Sequence, residues 1–215
     1  FCCLQAVGFY FTQGRKNVRK KFGIICMICG ILLIAASVSL AVYNYEEDIH
    51  AAGAAGKVMP DLKQQISERI ESKPEELKGS DEMTVVEIDG YGYIGYLSIP
   101  SLGLELPVMS DWDYVRLKIA PCLYFGSVKK DNMVIAAHNY AGFFGRCSEL
   151  KIGDAVLFTD MDGAVYEYKV GDMEVLPPSA TEEMIKSRWD LSLYTCTYGG
   201  ASRVTVRCER VRGNE

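Results

Sequence analysis

The stretch Leu191-Ser192-Leu193-Tyr194-Thr195-Cys196, followed after Tyr198-Gly199-Gly200-Ala201 by Arg203-Val204-Thr205-Val206-Arg207-Cys208, decides how the 215-residue chain is read. Both halves alternate with a period of two, the mark of β-strands that turn one face to a core. Leu191, Leu193 and Thr195 share one face of the first strand, so Ser192, Tyr194 and Cys196 share the other. In the second strand Val204, Val206 and Cys208 form the apolar face, which leaves Arg203, Thr205, Arg207 and Glu209 pointing outward. With 198–201 as a four-residue hairpin loop, Thr197 pairs with Ser202 and Cys196 falls opposite Arg203. Directly opposed residues have Cβ atoms about 4.5–5.5 Å apart, within reach of a guanidinium. Arg207 has the same parity but lies about 13 Å further along the strand.

A thiol and a guanidinium on one outward-facing strand pair, with an imidazole elsewhere in the domain, suggest acyl-transfer chemistry. A cysteine nucleophile needs a base to form thiolate and a donor for the oxyanion that appears when it attacks a carbonyl. His138, the only histidine in 85–215, ends the apolar run Met133 to Ala137 and opens onto Asn139-Tyr140-Ala141-Gly142. That position suits an acid–base group acting on a neighbouring strand. Each residue alone has a plainer reading: Cys196 as a buried apolar thiol, as expected for Cys208, His138 as the partner of a loop carbonyl, and Arg203 as a solvated edge residue. Their combination makes Cys196, His138 and Arg203 the candidate catalytic set.

The rest of the chain bounds where such chemistry would occur. Residues 22–43 are uncharged and rich in Ile, Leu, Val, Ala and Cys, long enough for the ~20 residues that cross a bilayer. Arg15, Lys16, Arg19, Lys20 and Lys21 precede this stretch and Glu46, Glu47 and Asp48 follow it, so the positive-inside bias puts the N-terminus in the cytoplasm and the C-terminal domain outside. A cleaved signal with Ala52-Gly53-Ala54 as its cleavage site is the competing reading, but the apolar run exceeds the usual ~7–15 residues. The chain opens on Phe1 rather than Met, which reads as a fragment or a displaced start. The expected division is a cytoplasmic basic segment (1–21), a single-pass transmembrane helix (22–43), a partly helical extracellular stalk (44–84) and a catalytic β-domain (85–215). Net charge is −5, and no basic, aromatic-interleaved surface marks a nucleic-acid partner.

Cys2, Cys3, Cys26 and Cys29 fall in or before the apolar stretch, whereas Cys122, Cys147, Cys196 and Cys208 are scattered, with one histidine among them. That pattern does not support a structural zinc site, and a disulfide among the outer four cannot be paired from spacing. No cofactor is implied. Leu62, Ile66 and Ile70 recur at helical spacing after the small-residue run 51–56, as in a short amphipathic helix, either in a partly ordered stalk or packed on the domain. Ser72 with Glu75, Pro74 and Gly79 reads as the cap, first turn and stop of a second helical piece.

From Val85 onward the runs are short and β-branched or aromatic: 93–99, 104–109, 133–138, 155–159, 165–170, 191–196 and 204–210. Asp160-Met161-Asp162-Gly163 is a hairpin turn, and the two aspartates are expected to be turn residues rather than calcium ligands. Brief helical pieces are expected at 114–119 and 181–187. The pattern is all-β, a barrel or a sandwich.

The chain resembles the sortase family, membrane-anchored cysteine transpeptidases of Gram-positive bacteria. The family's Thr-Leu-x-Thr-Cys strand corresponds to Ser192-Leu193-Tyr194-Thr195-Cys196, its His strand to Ala136-Ala137-His138-Asn139, and its Arg strand to Ser202-Arg203-Val204-Thr205-Val206. The similarity covers most of 94–210, including Gly153-Asp154 before Val156-Leu157-Phe158. The one departure, Ser192 for Thr, keeps a hydroxyl. The resemblance implies an eight-stranded β-barrel with short helices, preceded by the transmembrane helix, and a groove on the barrel surface. It implies that Cys196 attacks an LPXTG-like sorting signal of surface proteins to give a thioacyl enzyme. An amine, such as that of lipid II or a pilin lysine, then resolves it. His138 would serve as acid and base and Arg203 as oxyanion donor or peptide clamp. Thr195 is a candidate substrate-binding residue, with a structural strand role as its alternative. No Asp-Pro-aromatic lid of the pilus type is present, and the resemblance favours class B or class D. Two other readings remain open: a surface cysteine protease that releases its product to water, and an inactive membrane-tethered binding module.

Overall fold

The computed structural model describes residues 2–72 and 82–212. Helix α1 (Cys2–Ser72) is followed by strands β1 (Val86–Ile88), β2 (Tyr91–Ile99), β3 (Leu104–Met109), β4 (Cys122–Phe125), β5 (Met133–Ala136), β6 (Ala155–Asp160) and β7 (Val165–Leu176). Helix α2 (Thr181–Ile185) then leads to β8 (Leu191–Cys196) and β9 (Arg203–Arg210). The chain divides into two compact units at Glu47 and Asp48. In the first, residues 22–43 present their side chains outward, and the most apolar window of the helix has a mean hydropathy of 2.7, high enough for a membrane span.

In the second unit the strands run in the order β1-β2-β3-β4-β5-β8-β9-β7-β6, and β6 pairs back onto β2. Strands β2 to β9 therefore form a closed eight-stranded barrel, with β1 as an added antiparallel strand outside the ring. Closure depends on Gly95, opposite Asp160 at φ +145°: a Cβ there would lie 2.0 Å from the Thr159 carbonyl oxygen, so only glycine lets the two backbones approach. Most pairings are antiparallel, but β3 with β4 and β5 with β8 are parallel.

The inner faces of the strands supply one core cluster, including Leu97, Phe158, Tyr168, Leu193, Val206 and Cys208. Burial pushes the thiols of Cys122 and Cys147 up to about 12. From Asp48 on, α1 packs on the barrel. Val58, Leu62 and Ile66 join Ile88, Tyr93 and Met109 in a second cluster, and Ala51 and Ala55, from the small-residue run, reach the first. Alanines four residues apart share one face of a helix, so Ala51 and Ala55 let α1 approach the sheet closely. The expected helix around Leu62 to Ile70 is part of α1, whose last residue is Ser72. Glu75, Pro74 and Gly79 lie outside the described residues.

The strand readings hold with shifted ends. β5 stops at Ala136, two residues short of His138, and β7 runs through Gly171 to Leu176 by means of a bulge between Val170 and Asp172. Two short strands, β1 and β4, were not expected. The expected helix at 114–119 is a 3-10 turn over Arg116–Lys118, and 181–187 is α2. Asp160 acts as a turn residue: Oδ1 accepts from the backbone N–H groups of Asp162 and Ala164 at 3.0 and 2.9 Å. Asp162 accepts from Arg69 and Thr84.

Candidate active site

The hairpin of β8 and β9 forms as its alternation requires. Thr197 N–H donates to the Ser202 carbonyl at 2.9 Å, and Cys196 is paired directly with Arg203. On the other side of β8, the parallel register aligns Ala136 with Tyr194, and the Ala137 N–H donates to the Tyr194 carbonyl at 3.1 Å. His138 follows directly, at the end of this parallel pairing and on the side of β8 away from Arg203. Neighbouring strands are about 4.8 Å apart, and parallel partners in register share a face. Cys196 and Arg203 thus lie side by side on β8 and β9, His138 follows the end of β5, and all three line one cleft of about 180 Å³. All three are part-exposed.

The Arg203 guanidinium donates from Nη1 to the carbonyls of Gly200 and Ser202, both at 3.1 Å. Gly199 and Gly200, at φ +79° and +73°, give the loop its turn. The His138 ring stacks against Tyr140 with centroids 5.0 Å apart, and the loop that follows folds back, with the Phe144 N–H on the His138 carbonyl at 3.4 Å.

Two walls flank the three residues. One is aromatic: Trp112 packs on Tyr124 at 5.4 Å between centroids, and Tyr124 meets Tyr194 edge-on at 5.3 Å. Trp112 remains 43% exposed. Burial raises the Tyr194 hydroxyl above its ordinary range. The other wall is the connection after β7, with Pro177, Pro178, Ala180 and Met184 facing the cleft. A second concavity of about 250 Å³, lined by residues that include Asn139, Ser148, Thr197 and Tyr198, meets the first at Cys196.

Thr195 is buried on the face opposite Cys196, with no hydrogen-bond partner for its hydroxyl, and it borders this second concavity. Arg207, read as outward-facing, is on the outer face but sealed beneath α2 at 1% exposure. Its donors go to Glu174, Ser192 and the carbonyls of Glu183 and Met184, so a carbonyl at Cys196 has Arg203 beside it instead. Sequence reasoning missed the aromatic wall. The available signal was the pair Trp112 and Tyr114 in a polar turn, where large aromatics have no core to fill.

The barrel is shared with solved structures. A Sortase D5 transpeptidase of Clostridium perfringens superposes with a TM-score of 0.57 at 17% identity, covering 74% of this chain and 99% of that one. Sortase C of Streptococcus pneumoniae gives 0.53 at 23%, over 74% and 96%. A lid mutant of Sortase A from Corynebacterium diphtheriae gives 0.50 at 17%, over 74% and 97%. At such identities the likeness establishes the fold, and the fold alone does not separate the lettered classes. No curated protein matches the chain. A sortase-domain family model, however, matches residues 97–211, more than half of the chain, a span that takes in all three residues at the floor of the cleft. By that match the chain belongs to the sortase family, whose members are cysteine transpeptidases.

Proposed function

We propose that this chain is a membrane-anchored transpeptidase in which Cys196 cleaves an LPXTG-like sorting signal and passes the acyl group to an amine. The observation that carries this reading is that His138, two residues past the end of β5, lines one cleft with Cys196 and Arg203, which are paired directly on β8 and β9. The Cys196 thiolate adds to the scissile carbonyl, and the oxyanion forms beside the Arg203 guanidinium, once that group leaves the carbonyls of its own hairpin. Collapse of the adduct breaks the C–N bond as His138 protonates the leaving amine, which leaves a thioester on Cys196. The incoming amine adds to the thioester and gives its proton to His138. The C–S bond breaks, an amide forms and the thiolate returns.

Other features fit. The cleft joins an aromatic wall to a proline-bearing one and suits an extended apolar peptide. The second concavity gives a second substrate an approach to the same sulfur. The apolar helix at 22–43 would hold the domain at the outer membrane surface, and its charge flanks favour that orientation. Donors would be surface proteins or pilins with a sorting signal, and acceptors an amine of lipid II or a pilin lysine. The test is incubation with a sorting peptide and a primary amine. An amine-coupled product is expected. Free acid alone would point to a hydrolase, and no conversion, with Cys196 unreactive to thiol reagents, would point to a binding module.

A further inference from the structure

Arg207 has the largest side chain among the fully buried residues described, and it lies on the strand face that also carries Arg203. Its Nε donates to Glu174 Oε1 at 2.6 Å, Nη1 to Ser192 Oγ at 2.8 Å and the Met184 carbonyl at 3.4 Å, and Nη2 to the Glu183 carbonyl at 2.8 Å. The two carbonyls belong to the end of the five-residue helix α2. A helix that short leaves its last carbonyls without helical partners, and here a planar fork of fixed geometry supplies donors. Met184 then forms part of the cleft wall, with Pro177, Pro178 and Ala180 preceding it. One side chain therefore ties β7, β8 and α2 together behind that wall.

We propose that Arg207 is a positioning residue that holds the wall formed by the β7–β8 connection, and through it sets the affinity of the cleft for a peptide donor. This rests on the transpeptidase reading above. Arg207 reaches the donor only through Met184 and its neighbours, so its replacement acts on binding and leaves the chemistry at Cys196 in place. The hydroxyl of Ser192 belongs to the same device, because it accepts from Nη1.

The experiment uses the full chain in detergent, with a sorting peptide as donor. Arg207→Lys keeps the charge but cannot span the acceptors, so KM rises about tenfold while kcat changes by less than about threefold. Ser192→Ala raises KM by about threefold, and Ser192→Thr, which keeps the hydroxyl, restores the wild-type value. Binding of the same peptide to Cys196→Ala and to Cys196→Ala with Arg207→Lys gives a Kd about tenfold weaker in the latter, with no turnover needed. A kcat that falls at unchanged KM, or equal Kd values in the two binding variants, would overturn the proposal. If Arg207→Lys does not fold, an unchanged KM or Kd in Ser192→Ala overturns it. A wild-type chain that binds the peptide but converts none defeats the transpeptidase reading alone, and the Kd pair still decides the role of Arg207.

Discussion

Two residue pairs on the β8–β9 hairpin occupy the same outer face, one at each end. Cys196 with Arg203 sits by the turn and opens onto a cleft, whereas Ser192 with Arg207, four residues away, is sealed under α2. The strand pattern is the same at both places. What differs is the cover: the β7–β8 connection crosses the outer face at Ser192 and stops short of Cys196, where it becomes a wall instead of a roof. Outward parity fixes direction, and a distant segment of chain fixes exposure. The same cover separates a candidate reactive guanidinium from a structural one.

Substitutions can break that comparison in order of size. Cys196→Ala should abolish conversion of peptide, by ~10⁴-fold or more, with folding retained. Arg203→Lys keeps charge but loses the planar fork, so turnover should fall by ~10²-fold, and unchanged turnover would move the oxyanion role to backbone donors. In thermal unfolding the ranking reverses. Arg207→Ala should cost about 2–4 kcal/mol, because it leaves the Met184 carbonyl and the Ser192 hydroxyl buried without their donor. Arg203→Ala should cost less than about 0.5 kcal/mol. Equal losses would erase the distinction between the two ends.

A subtler test uses the thiols. Burial holds Cys122 and Cys147 near 12 and pushes Cys208 higher still, so these three stay protonated at neutral and mildly alkaline pH. Peptide mapping after brief alkylation should therefore find Cys196 modified well before the other three. Faster labelling of Cys208 would mean that the end of the barrel opens. The smallest effect belongs to Asp131 at the far end of β9. Its burial would raise the carboxyl, but hydrogen bonds from Arg210 and Arg212 outweigh it and hold the group below its usual value. A depressed carboxyl stabilises the fold above its unfolded pKa, and that contribution fades as pH falls through the folded one. Wild type and Asp131→Asn should accordingly differ in Tm at neutral pH and converge in acid.

The hairpin was legible because both strands alternate without interruption and two glycines mark the turn, so the pairing of Cys196 with Arg203 followed from counting. The place of His138 was not, since nothing local says that β5 lies parallel beside β8. That neighbour relation is a parallel pairing between strands more than fifty residues apart in sequence, with β6 and β7 between them along the chain. β4 escaped notice because four residues between Pro121 and Gly126 are too few for alternation to register. β7 looked finished at Gly171, where a bulge carries it on. Residues 51–56 left a partly ordered stalk and a helix packed on the domain equally open, because small side chains suit a loose spacer and also a helix pressed against a sheet.

The central claim is that Cys196 is the residue that carries the acyl group. Mixing the chain with a sorting peptide in the absence of amine, quenching in acid and mapping the adduct by mass spectrometry tests it most directly. The account predicts one added acyl fragment, the part of the peptide N-terminal to the cut, as a thioester on the peptide containing Cys196, lost on addition of amine. Product formed without any such adduct, or an adduct on another side chain, would contradict it.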